Sequence, residues 1–173
     1  MEILEKREEW LAEFEAGWLA HYNETGETDW KLYPRPNNQS APGTAGIDLS
    51  ASRLMLISTA GAYLPDSQAP FEEPDRLGNY SIRTFPAAIP LETLAYSHTH
   101  YDHAAVEADQ QVLLPLRHLD DMVAEGVIGD IAPSVISVMG YMPVLPRLID
   151  ETIPEIVDIA KEEDVRAALL VPA

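Results

Sequence analysis

The chain has 173 residues, 46% of them hydrophobic and none of them cysteine, and its 29 acidic against 11 basic side chains give a formal charge of −18. That length and apolar content suit one soluble domain with a real core, while the charge repels phosphate backbones and anionic lipid and argues against nucleic-acid and membrane-surface partners. The absence of cysteine excludes disulfides, thiolate metal ligands and cysteine nucleophiles among these residues.

The start, Met1-Glu2-Ile3-Leu4-Glu5-Lys6, lacks the basic and apolar regions of a leader. No apolar run approaches the ~20 residues that span a bilayer, so a cytosolic location is expected. From Glu2 to about His21 the pattern is that of an amphipathic helix, with Leu11, Phe14 and Trp18 at i, i+3 and i+7 and a stripe broadened by Trp10 and Leu19. Such a stripe docks on the chain's own sheet or on a second subunit, and His21 reads as a helix-end residue. Asn23 to Ser50, punctuated by Gly26, Pro34, Pro36, Pro42, Gly43 and Gly46, is expected to be a long loop.

Arg53 to Ser58 is an apolar run ending in Thr59-Ala60-Gly61, as a central parallel strand with a tight, ligand-facing turn requires. Pro65 to Tyr80 is loop, and Ser81 to Phe85 is a short edge strand carrying Arg83, a side chain able to hold a carboxylate or to make a surface ion pair. Pro115 to Glu125 has the spacing of a helix, started by Pro115 and stopped by Gly126. Ser134 to Met139 is a strand closed by Gly140-Tyr141, and Arg147 to Glu162 is a helix that Pro154 kinks or restarts, with Leu148, Ile149, Ile153, Ile156, Val157 and Ile159 inward. Val165 to Ala173 is the last strand. Strands alternating with helices predict an α/β fold, a mainly parallel sheet with flanking helices in a Rossmann-like three-layer arrangement. The chain reads as a single domain over 1–173, with an amino-terminal helix and long loop over 1–50 and an α/β core over 51–173.

Chemistry concentrates in Leu94-Ala95-Tyr96-Ser97-His98-Thr99-His100-Tyr101-Asp102-His103. A short strand would deliver a polar tip on which His98, His100 and Asp102 share a face and His103 follows on a turn. Imidazoles and a carboxylate at this spacing are ligands for zinc, iron or manganese, so His98, His100, Asp102 and His103 are the candidate metal-binding and catalytic residues, with a histidine as general acid or base. The same turn can equally be a hydrogen-bonded cap at a strand-to-helix junction. The H-x-H-x-D-H spacing also resembles that of metallo-β-lactamase-fold hydrolases, for which Glu107, Asp109 and His118 are the nearest further ligands. The rim positions Thr59, Gly61, Met139, Gly140 and Tyr141 are the candidate cofactor-binding residues beside the tip.

Taken together, Ser58-Thr59-Ala60-Gly61, the histidine tip followed by Asp109, Val123 to Gly129, and Met139-Gly140-Tyr141 resemble, in that order, the selenoprotein B family of glycine, sarcosine, betaine and D-proline reductases. The resemblance covers roughly Arg53 to Ala173. It implies reductive cleavage of an amine or a D-proline ring by a selenocysteine or cysteine placed just after a late strand, with electrons passed through thiols. That strand corresponds to Ala167–Val171 here, and no residue of this chain matches the nucleophile, so either the chain is a shortened or divergent member or a region beyond Ala173 carries it. The expected ligand is a small-molecule substrate, and the expected assembly is a homo-oligomer or a reductase-complex subunit. Two other readings stand beside it, a non-catalytic module that keeps the fold without the nucleophile and a metal-dependent hydrolase.

Overall fold

A computed structural model of the chain describes residues 3–40, 46–72 and 76–173; Met1, Glu2, Pro42, Gly43, Pro74 and Asp75 of the segments above lie outside the described residues. The chain divides into two compact units, Met1–Ala45 and Gly46–Ala173.

In the first unit, helix α1 (Arg7–Phe14) runs through a π-helical turn, Glu15–Leu19, into α2 (Ala20–Thr25), and ends at Gly26 with φ 70. Its buried face is Trp10, Phe14 and Trp18, spaced by four, while Leu11 is half-buried. A row spaced by four drifts about 40° per step on a helix of 3.6 residues per turn, and the wider π turn absorbs part of that drift. The rings of Trp10, Phe14, Trp18 and Tyr22 therefore stack in sequence at 5.0, 5.5 and 6.0 Å. Tyr33 meets the row edge-on, and the Trp10 indole N–H donates to the Pro34 carbonyl at 2.6 Å. Within this unit the loop after the helix thus packs on the aromatic stripe.

The second unit contains, in order, β1 (Arg53–Ser58), β2 (Ala62–Tyr63), β3 (Arg83–Pro86), β4 (Ala95–Tyr96), α3 (His103–Ala108), α4 (Leu116–Ala124), β5 (Asp130–Ile131), β6 (Ser134–Ser137), α5 (Leu145–Arg147), α6 (Ile153–Glu162) and β7 (Ala167–Val171). Strand β1 is central: β7 runs parallel to it from Leu54↔Ala167 to Ser58↔Val171, while β5 and then β6 pair with it in parallel, at its start and its end. The edge strand β3 is antiparallel to β6. Alternation along β1 sends Leu54 and Leu56 into a core with Val106, Leu116 and Leu119, and Met55 into a second core with Ile156, Ile159 and Ala160. Both faces of the sheet are covered by helices, which is why β1 is apolar throughout. Truncating a fully buried side chain such as Leu56 to alanine would cost about 2–5 kcal/mol.

Helix α4 follows Pro115 and is closed by Gly126 at φ +73. The last helical stretch starts two residues earlier than the sequence pattern places it and carries a π turn, Leu148–Thr152, just ahead of Pro154 in the first turn of α6. Proline has no N–H to close a regular turn there. Val157, expected inward, is 41% exposed. No helix among the described residues is long and apolar enough to cross a membrane.

Candidate functional site

Three strand ends meet at one rim of the sheet. Beyond β1, the Gly61 N–H donates to the Val138 carbonyl at 3.0 Å, and Ala60 bridges to Met139. The antiparallel pair β2–β4 then brings the histidine tip alongside, since Ala62 faces Tyr96 and the Ser97 N–H donates to the Gly61 carbonyl at 2.9 Å. Gly61 adopts φ +64, and a Cβ there would lie 2.6 Å from Met139 Sδ and 3.2 Å from the His98 backbone nitrogen. Only glycine suits both the dihedral and the space.

His98 is the buried member of the tip, 7% exposed. The His100 backbone N–H donates to its Nδ1 at 3.1 Å, so the ring proton sits on Nε2, a tautomer assigned from the hydrogen bond. Nε2 faces the end of β6: it lies 3.2 Å from the point a Cβ would occupy on Gly140, and Thr59 Oγ1 lies 3.5 Å from that point. Thr59 Oγ1 also accepts from the Ala173 N–H at 2.8 Å. The backbone after β7 therefore passes the same corner.

Of the predicted rim residues, Thr59, Gly61, Met139 and Gly140 surround His98. Tyr141 turns away, donating from its hydroxyl to the Arg76 carbonyl at 3.0 Å, while its own carbonyl packs against Gly78. The predicted convergence of His98, His100 and Asp102 is not what the structure holds. Residues 97–102 belong to no strand, so the alternation of side chains that an extended segment would impose is lost. His100 and Asp102 are exposed, and Asp102 caps α3 by accepting from the Ala104 N–H at 3.0 Å. Asp109 caps the next short turn in the same way, accepting from Gln111 N–H, and Glu107 and His118 are exposed. Among the described residues no three His, Cys, Asp or Glu side chains are placed to hold a metal. Among the described residues the donor set fits neither the predicted single-metal centre nor a hydrolase centre, because Asp102 and Asp109 are engaged as caps and Glu107 and His118 are not brought together with the histidines.

What the tip builds instead is a row of rings. His98 meets His100 edge-on at 5.5 Å, stacks on Tyr101 at 5.3 Å, and Tyr101 stacks on His103 at 4.7 Å. Tyr101, which the ligand-centred reading passed over, is the middle of this row, and its hydroxyl donates to the Ala60 carbonyl at 3.4 Å. Its place three residues after His98 in an aromatic-rich tip was the available signal. Burial pushes its phenol up to about 12. Burial, and after it the neighbouring Tyr101, also raises Tyr96, whose hydroxyl donates to Gln110 Oε1 at 3.3 Å. His103 Nε2 is buried with no hydrogen-bond partner among the described residues.

With Nδ1 occupied as an acceptor and the proton on Nε2, His98 has no lone pair with which to take a proton in this geometry. It is a hydrogen-bond donor aimed at the corner of Thr59, Gly140 and Ala173.

A family model for glycine/sarcosine/betaine reductase selenoprotein B matches residues 25–172, so the match begins well before Arg53. The D-proline reductase subunit gamma of Acetoanaerobium sticklandii is 28% identical over 123 residues, which are 71% of this chain and 49% of that protein. The sarcosine reductase complex component B subunit beta of Peptoclostridium acidaminophilum is 27% identical over 124 residues, 66% of this chain and 27% of that protein. The chain thus spans about half the length of the first of these relatives and about a quarter of the second. No solved structure matches it.

Proposed function

The chain belongs to the glycine/sarcosine/betaine reductase selenoprotein B family, and we propose that it serves as a reductase-complex subunit whose His98 corner holds the reacting nucleophile. Reductive cleavage of a carbon–nitrogen bond in this family relies on a selenol or thiol. Cysteine is absent from these 173 residues, so the proposal places that group outside them. A thiolate or selenolate is the reactive form, and a fixed N–H donor beside it favours the anion. The observation that carries the reading is the orientation of His98, with Nδ1 tied to the His100 N–H and Nε2 directed at the corner where Thr59 Oγ1 holds the Ala173 N–H. Small substrates of the glycine, sarcosine, betaine or D-proline type are the proposed ligands, as the names of the family and the relatives suggest.

The test is reconstitution of the subunit with the polypeptide that supplies the thiol or selenol. Dithiol-dependent amine release is then compared for wild type and His98→Ala. Loss of one preorganised donor is expected to lower kcat by roughly 100-fold, and the pH profile for alkylation of the nucleophile should move upward. The absence of cysteine favours a second reading, a non-catalytic module that keeps the fold. Equal rates and equal alkylation profiles for wild type and His98→Ala would decide for it.

A further inference from the structure

Arg83, at the start of β3, is fixed in an unusual way for a chain so acidic. Lys6, Arg53, Arg147 and Lys161 each reach a carboxylate. Arg83 reaches none among the described residues. Its Nε donates to the Ala69 carbonyl at 3.0 Å, its Nη1 to Ser81 Oγ and the Ile82 carbonyl at 2.9 Å each, and its Nη2 to the Pro70 carbonyl at 3.4 Å. The guanidinium also lies 4.4 Å from the centre of the Phe71 ring. Neutral acceptors and an aromatic face hold the group still without cancelling its charge.

This cation lines a cleft of about 370 Å³ together with Glu72, Gly78, Asn79, Ser81 and Arg147, a size that suits a small ligand. Asn79 Oδ1 is taken by the N–H and hydroxyl of Ser81, which leaves the amide nitrogen of Asn79 as its donating end. Across the cleft, Arg147 lies 4.3 Å over the Tyr80 ring, and its charge is met by Glu151 in a forked pair at 2.9 to 3.2 Å. Among the described residues, Arg83 meets no carboxylate directly, and the lining includes the anionic side chain of Glu72.

We infer that this cleft binds a small organic monocarboxylate, with Arg83 and the Asn79 amide as donors. The one N–H left on Arg83 Nη2 and the amide of Asn79 can each donate to one oxygen of a carboxylate, and a single negative charge suits a lining that also carries Glu72. The cleft shares no lining residue with the His98 corner and does not depend on the reductase reading. It is linked to that corner through Phe71, whose N–H donates to Ser97 Oγ at 3.0 Å.

The experiment is a two-dimensional amide NMR titration of the full chain with sodium acetate, and separately with inorganic phosphate, at constant ionic strength. Acetate should shift the amides of Asn79, Ser81 and Arg83. Asn79→Asp keeps the acceptor for Ser81 but replaces the donor with a carboxylate, and should weaken acetate binding by roughly tenfold or more. Arg83→Gln serves as a second variant with the same expectation, and His98→Ala should bind acetate as wild type does. Absence of shifts, equal affinity in Asn79→Asp, or phosphate binding more tightly than acetate would overturn the inference.

Discussion

His98 Nε2 and Gly140 are in contact across the rim, the ring nitrogen lying 3.2 Å from the point where any side chain at residue 140 would begin. This contact seats the imidazole in the corner formed by the ends of β1, β6 and β7. A methyl group at residue 140 has to displace the ring by a few tenths of an ångström. At Gly61 the demand is harder, because backbone crowding at His98 adds to a positive φ.

Gly140→Ala is therefore expected to destabilise the chain by about 1–3 kcal/mol through overpacking and to change the His98 ring ¹⁵N shifts. Gly61→Ala combines crowding with a dihedral strain of about 1–3 kcal/mol and should cost more. Urea denaturation of both variants checks the order. Equal losses would mean that the Gly61 conformation relaxes freely.

Tyr101 lies between two imidazoles, at 5.3 Å from His98 and 4.7 Å from His103. Each such pair contributes about 0.5–1.5 kcal/mol beyond burial, so Tyr101→Ala should lose about 1–3 kcal/mol for the two. Tyr101→Phe keeps the stacking and forgoes one long hydrogen bond, and should lose less than about 1 kcal/mol. Comparison of the two variants by chemical denaturation separates ring stacking from the hydroxyl.

The same residue gives a pH signature. Burial pushes the folded Tyr101 phenol up to about 12, whereas in the unfolded chain it titrates near 10. The unfolded state releases this proton first, so the stabilisation is full below about pH 10 and is lost as pH rises towards about 12. Tyr96 moves in the same direction. Tyr101→Phe should flatten the alkaline fall in stability, and an unchanged slope would assign the fall to other groups.

Asp102 acts as a cap, so Asp102→Ala should cost about 1 kcal/mol and Asp102→Asn only a few tenths. Added zinc should leave the melting temperature of wild type and of a His98→Ala, His100→Ala variant equally unmoved. A rise confined to wild type would restore the metal reading.

Thr59 Oγ1 holds the Ala173 N–H. Thr59→Val keeps the volume and removes that acceptor. Exchange of the Ala173 amide should quicken severalfold, as expected for loss of about 1 kcal/mol of local protection, with the β7 amides little changed.

Much of the architecture was legible because its signals are local. The uninterrupted apolar run of β1 announced a strand covered on both faces, and Pro115 with Gly126 framed α4 to within a residue at each end. The same local logic failed over 97–102. It assumed an extended segment with side chains in alternation, but among the described residues no neighbouring strand pairs with that segment, and the His100 N–H closes a local bond to His98 Nδ1 instead. Spacing alone also could not tell a metal-ligating carboxylate from a helix cap, since Asp102 satisfies both patterns until the following backbone is seen to turn into α3.

By itself the sequence determined the chemistry on offer: no thiol in these residues, a net negative surface, glycines at two strand ends and four ring-bearing residues in one short tip. The tertiary structure alone decided which of these meet. His98 is buried against Gly140 and Thr59 because the β2–β4 pair carries the tip to the end of β1, whereas His100 and Asp102 stay exposed on the segment beyond it. The reason is that a residue's neighbours along the chain set its backbone preferences, whereas the partner of a side chain at a sheet rim is set by strands far away in the sequence.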